Sequence, residues 1–153
     1  MDFAKDFSDF IDLLNKFSVD YLVVGGYALG FHGKPRYTGD LDIWIAISDN
    51  NAENMVKVLD EFGFGTLGLE KQDFLEKGHI TQIGYPPLRI DILNEIDGVT
   101  FEDAIRDKQV IEMDEIKVNF IGFNDLIKNK LASGRDKDMS DVKSLTGKKS
   151  RPN

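Results

Sequence analysis

The spacing of hydrophobic residues changes period several times along the chain. Phe3, Phe7, Phe10, Leu14 and Phe17 recur at helical intervals between acidic residues, which predicts an amphipathic helix over 2–17 laid on a core. Residues 20–24 form a short, largely β-branched run cut off by Gly25-Gly26, the pattern of a buried strand that stops where the backbone turns tightly. A short helix over 27–31, a Gly- and Pro-marked loop over 33–39 and a second strand over 40–47 follow. Met55, Val56, Leu59 and Phe62 restore the helical period over 50–62, and Gly63 ends it.

Strands over 80–84 and 88–93 flank Tyr85-Pro86-Pro87, which reads as a hairpin loop. A short helix over 101–105 precedes a second hairpin, 110–113 with 116–120, turning at Asp114-Glu115. Helices over 123–132, ending at Gly134, and around Val142 and Leu145 close the pattern. A helix first, hairpins in the middle and helices last predict an α+β fold, a mixed β-sheet with helices packed mainly on one face. The length of 153 residues suits a single domain over 1–146 followed by a flexible basic tail at 147–153.

Alternation along the strands singles out the acids. On a strand Asp40, Asp42 and Trp44 share one face while Leu41, Ile43 and Ile45 take the other, and in the later strand Arg89 and Asp91 share a face. Asp40 and Asp42 would have Cα atoms ~6.6 Å apart, so like charges sit side by side at a cost that a divalent cation removes. The ordinary explanation of a lone Asp-x-Asp is an exposed face of an edge strand. Here the pair follows a Gly-Gly turn and the loop carrying Arg36, Thr38 and Gly39, so backbone N–H groups and a guanidinium are expected beside the carboxylates, an arrangement suited to a metal-bound polyphosphate. Hard oxygen donors with no histidine or cysteine nearby favour Mg²⁺ or Mn²⁺ over zinc.

Composition narrows the classes further. The absence of cysteine excludes a disulfide framework and a thiolate metal site. No apolar stretch approaches the ~20 residues of a membrane span, and no targeting segment is visible, so no membrane partner and a cytoplasmic location are expected. A net charge of −8 argues against broad DNA binding, although eight of the 19 basic residues and three of the 27 acidic ones lie in 128–153. His32 and His79 have no triad or metal-ligand arrangement and are expected to be structural or exposed. Trp44 shares the acidic face, where packing is the ordinary role of a strand tryptophan and stacking on a base the alternative.

Gly25-Gly26, then Asp40-Leu41-Asp42, then Asp91 in a later strand resembles the nucleotidyltransferase superfamily typified by DNA polymerase beta. The run from Gly25 to Leu29 and from Arg36 to Ile43 is most similar to its small bacterial branch of abortive-infection-type toxins and related uncharacterised domains. Asp125-Leu126-Ile127, Lys130, and Gly134 through Asp138 with Asp141 resemble that branch's closing helices, so the resemblance spans residues 20–145. It implies a nucleotidyltransferase-like fold in which Asp40 and Asp42 bind metals, Asp91 completes the site, and Gly25 and Gly26 lie against the triphosphate. Lys130, Arg135 and Lys137 become phosphate-side cations, with Arg36 and Thr38 as further nucleotide-binding candidates. Tyr27 departs from the serine that many members carry after the glycine pair.

The activity implied is transfer of an NMP from an NTP to an unknown acceptor hydroxyl, on tRNA or another RNA, a protein or a small molecule. Two alternatives stand beside it. One is a catalytically inactive nucleotide-binding or antitoxin-like interaction module; the other is a single-metal phosphohydrolase, in which water replaces the acceptor.

Overall fold

The computed structural model describes residues 4–34 and 39–150. Helix α1 (Lys5–Lys16) turns Phe7, Phe10, Ile11 and Leu14 inward, as its period predicts, and Phe10 meets Phe62 of α3 (Asp49–Phe62) edge to face. Burial of such side chains contributes about 1.5 to 3 kcal/mol each. Ser48 caps α3 by accepting the Asn51 N–H at 3.1 Å, and Gly63 ends it with a φ of 101°, the left-handed residue that a glycine adopts without a Cβ penalty. Asn51 is buried and ties three segments together, accepting the Asp20 N–H at 2.7 Å and donating to the Asp20 and Ala46 carbonyls.

Among the described residues, six strands form one mixed sheet in the order β3-β4-β2-β1-β6-β5. These are β1 (Tyr21–Val24), β2 (Asp40–Ile45), β3 (Ile80–Ile83), β4 (Arg89–Leu93), β5 (Gln109–Met113) and β6 (Ile116–Phe120). The pairs β1–β2, β3–β4 and β5–β6 are antiparallel, whereas β2–β4 and β1–β6 are parallel. The β5–β6 hairpin turns through Asp114 and Glu115, both at positive φ, which matches the right-handed strand twist. With α2 (Gly25–Phe31), α4 (Lys71–Leu75), α5 (Phe101–Ala104), α6 (Phe123–Ser133) and α7 (Asp136–Ser150), the architecture is the expected α+β arrangement.

Strand β2 lies between β4 and β1, well inside the sheet, so its acids do not solvate an edge. Three elements differ from the sequence pattern. Gly25-Gly26 opens α2 instead of forming a separate turn. Helix α4 has too few apolar residues to show a period, but Asp73 accepts the Glu70 N–H at 2.8 Å and Phe74 is buried. Helix α7 is longer than Val142 and Leu145 announce, because it buries Asp138 and Asp141 as well as Leu145, and a helix that buries carboxylates shows little apolar stripe. Among the described residues no helix is long and apolar enough to cross a membrane.

Candidate active site

Pairing of β2 with β4 places Asp40 opposite Arg89, Asp42 opposite Asp91 and Trp44 opposite Leu93. Parallel neighbours are ~4.8 Å apart, and the side chains of register partners rise from the same face, so Asp42 and Asp91 meet without any loop having to bring them together. Burial first, then the Asp91 and Asp40 charges, push the Asp42 carboxyl up to about 7. On the other side of β2, Val24 of β1 is the register partner of Asp42, and the next residue, Gly25, lies against the carboxylate. A Cβ at Gly25 would stand 2.0 Å from Asp42 Oδ2, and the residue's φ is +68°, so both space and backbone conformation demand glycine.

Arg89 is lodged among the acids. Its Nη2 donates to Asp40 Oδ2 at 2.7 Å and to Asp91 Oδ2 at 3.1 Å, and its Nε is 3.0 Å from Asp91 Oδ1. That last contact is an ion pair without hydrogen-bond alignment, so Nε and Asp91 Oδ1 both remain buried and unbonded. Among the described residues no group of three or more acids or histidines is placed to hold a metal ion as the side chains stand, because the guanidinium takes the space between Asp40 and Asp91. The donor set nonetheless fits a hard cation. All three acids rise from one sheet face, one buried oxygen lacks a hydrogen bond, and a cation already sits among them.

Asp42 and Gly25 open onto a cavity of about 550 Å³ whose far wall includes Lys130, Ser133, Arg135 and Asp138. Gly134 ends α6 at a φ of 66°, turning the chain so that α7 packs back on α6. Across that joint Lys130 Nζ, 8% exposed, is 3.0 Å from Asp141 Oδ2 and 3.4 Å from Asp138 Oδ1. Lys34 reaches Asp141 Oδ1 at 2.8 Å, and Arg135 Nε reaches Asp138 Oδ2 at 2.7 Å. The Arg135 hydrogen bond, reinforced by Lys130, holds the Asp138 carboxyl below its ordinary range despite burial.

The structure thus brings Gly25, Lys130 and Arg135 to one cavity with Asp42, sets Asp40 and Asp91 on the sheet face of Asp42 but outside the lining of that cavity, and has Gly26 follow Gly25 in the first turn of α2. Lys137 lies on the exposed surface of α7. Arg36 and Thr38 lie outside the described residues. His32 Nε2 sits 2.7 Å from the Ile121 carbonyl oxygen, a structural role, and Trp44 is buried edge to face against Phe101 with no ring surface left for a base. Sequence reasoning placed Arg89 on the acidic face but gave it no role. The signal was available, since an arginine two residues before an acid on one strand shares that acid's face. The ion pairs of Lys130 with Asp138 and Asp141 were also missed, because they cross between two helices, as was the local pair of Arg135 with Asp138.

A mixed α+β sheet with acids on a central strand, glycine packed on one carboxylate and two basic side chains on the same cavity is the setting of a nucleotidyltransferase-like fold. The chain belongs to the family described as "Nucleotidyltransferase of unknown function (DUF6036)", whose family model matches residues 5–147. The crystal structure of a Thermotoga maritima protein assigned as a nucleotidyltransferase is similar with a TM-score of 0.60 and 15% identity, covering 93% of this chain and 91% of that one. An antigenic nucleotidyltransferase-like protein from Paracoccidioides brasiliensis is similar with a TM-score of 0.54 and 15% identity, covering 94% of this chain and 77% of that one. At such identity these likenesses establish the fold. Among curated proteins none matches the chain in sequence.

Two expected outcomes follow from the Gly25–Asp42 contact and from the proton held at Asp42. Gly25→Ala should cost about 2 kcal/mol in urea unfolding, from left-handed strain and displacement of Asp42, and a loss under about 0.5 kcal/mol would show that the contact relaxes freely. Asp42 keeps a proton in the folded state that the unfolded chain releases near 3.8, so it weakens folding as pH rises from that value to about 7. Asp42→Asn should therefore raise Tm by roughly 3 °C or more at pH 8 without divalent metal, with the gain fading towards pH 4. A gain independent of pH would refute the assignment of that proton.

Proposed function

We propose that the protein is a metal-dependent nucleotidyltransferase that moves an NMP from an NTP to a hydroxyl acceptor. The observation that carries this reading is the register pairing of Asp42 with Asp91, with Asp40 on the same face and Gly25 packed on Asp42 at the mouth of the cavity. Asp40, Asp42 and Asp91 would hold Mg²⁺ or Mn²⁺. When bound, such ions neutralise the phosphate oxygens and lower the pKa of the acceptor hydroxyl.

The chain's own residues supply the remaining parts. Gly25, whose missing side chain gives its space to the Asp42 carboxylate, would lie with Gly26 against the triphosphate. Lys130 and Arg135 stand on the cavity wall, where the triphosphate's negative charge would be met; their carboxylate partners fix their positions. Arg135 is the more available, with 71% of its side chain exposed and a planar fork suited to bidentate phosphate contact. Asp91, whose Oδ1 has no hydrogen-bond partner, would accept the acceptor's proton. Arg36, Thr38 and Lys137 remain candidate phosphate contacts. An RNA, a protein or a small molecule fits as acceptor, with the cations of 128–153 as the surface that an RNA would meet.

A second reading, a catalytically silent nucleotide-binding or antitoxin-like module, draws on one observation: Arg89 already neutralises Asp40 and Asp91. Incubation with Mg²⁺ and each NTP, followed by mass spectrometry of candidate acceptors and of the protein itself, separates the two. The proposal expects an NMP adduct that Asp42→Ala reduces at least about 10³-fold with the fold retained. Nucleotide binding without product would favour the silent module, nucleotide breakdown without adduct a phosphohydrolase, and undiminished transfer by Asp42→Ala would refute the metal-holding role.

A further inference from the structure

Arg89 is the charged side chain of the acidic cluster that the reaction above leaves unused. Its backbone is fixed in β4 opposite Asp40, two residues before Asp91, so it occupies the cluster through the reach of its side chain. Its Nη2 and Nε engage three of the oxygens that a hard cation would need: Asp40 Oδ2 at 2.7 Å, Asp91 Oδ2 at 3.1 Å and Asp91 Oδ1 at 3.0 Å. A magnesium ion demands oxygens at about 2.0–2.1 Å in near-octahedral order. It cannot take them while a guanidinium holds them, and the two cations repel at such range. Yet the grip on the guanidinium is incomplete. Its side chain is 30% exposed, and its Nε lacks an aligned acceptor.

A lone divalent ion would have to expel Arg89 into solvent, leaving the guanidinium without an anionic partner. An ion arriving with a polyphosphate brings negative charge that the released guanidinium can face, and arginine matches phosphate with two parallel donors. We propose, building on the nucleotidyltransferase reading, that Arg89 is a positioning residue acting as a displaceable internal cation. It keeps Asp40 and Asp91 engaged until metal and nucleotide polyphosphate arrive together, so the site discriminates against free Mg²⁺ or Mn²⁺ and in favour of the metal–nucleotide complex.

Mn²⁺ binding to the full chain, followed by the electron paramagnetic resonance signal of free Mn²⁺, tests this without catalysis. Wild type should bind Mn²⁺ alone weakly, and at least about tenfold more tightly with a non-hydrolysable NTP analogue. Arg89→Ala should bind Mn²⁺ alone at least about tenfold more tightly than wild type, with most of the analogue's enhancement gone. Equal affinity of folded Arg89→Ala and wild type for Mn²⁺ alone overturns the proposal, as does tight wild-type binding that the analogue does not improve.

Should Arg89→Ala not fold, the wild type still decides. The Arg89 Nε–Hε resonance, identified by its loss in Arg89→Lys, should shift with Mg²⁺ plus analogue and stay in place with Mg²⁺ alone. No shift with both present overturns the proposal. NMP transfer by wild type without the predicted affinity gain in Arg89→Ala refutes the Arg89 role alone. Absence of any Mn²⁺ or analogue binding in folded wild type removes the nucleotidyltransferase reading and this proposal with it.

Discussion

Asp42 and Asp91 face each other across two hydrogen-bonded parallel strands, and the rest of the site is arranged around the repulsion between them. A sheet interior normally excludes such a pair, since two adjacent carboxylates cannot both ionise cheaply in a partly buried setting. The protein contains that cost by local means. Asp42 retains its proton to about pH 7, Gly25 yields the volume beside its carboxyl group, and Arg89 spans Asp40 and Asp91. None of these devices stabilises the fold better than apolar residues would. They make sense as the resting arrangement of a site that takes a cation.

The second polar cluster has the opposite balance. Lys34, Lys130 and Arg135 surround Asp138 and Asp141, so cations outnumber anions within the cluster; of its members Lys130, Arg135 and Asp138 line the cavity, together with Glu95 and Asp97. Because the pairs of Lys130 and Lys34 with Asp141 join α6 to α7 and to the segment after α2, the packing of the last two helices and the electrostatics of the cavity depend on the same few atoms. Removing Asp141 would leave Lys130 buried beside a single carboxylate, an expensive change that couples stability to the shape of the site.

Much of this was visible in the chain. Strand alternation placed Asp40 and Asp42 on one face and Arg89 with Asp91 on another strand's equivalent face, and glycines at 63 and 134 marked helix ends correctly. The order of strands was not visible, because β2 pairs with β4 across the intervening α3, α4 and β3, and the periodicity of one strand carries nothing about its neighbour. For that reason the contact of Asp42 with Asp91, the central position of β2 and the insertion of Arg89 all required the structure. The ionic joint between α6 and α7 was hidden for a related reason: buried Lys130, Asp138 and Asp141 read as surface charges when taken one at a time. Trp44 shows the converse, an acidic-face residue that Phe101 covers.

The central claim is that the three acids form one cation site at the mouth of the cavity. A crystal soaked with Mn²⁺ and a non-hydrolysable NTP, imaged by anomalous scattering, tests it most directly. The account predicts a manganese peak between the Asp42 and Asp91 carboxylates, with phosphate density running towards the wall of Lys130 and Arg135. Nucleotide bound elsewhere, or a peak away from those carboxylates, would contradict it.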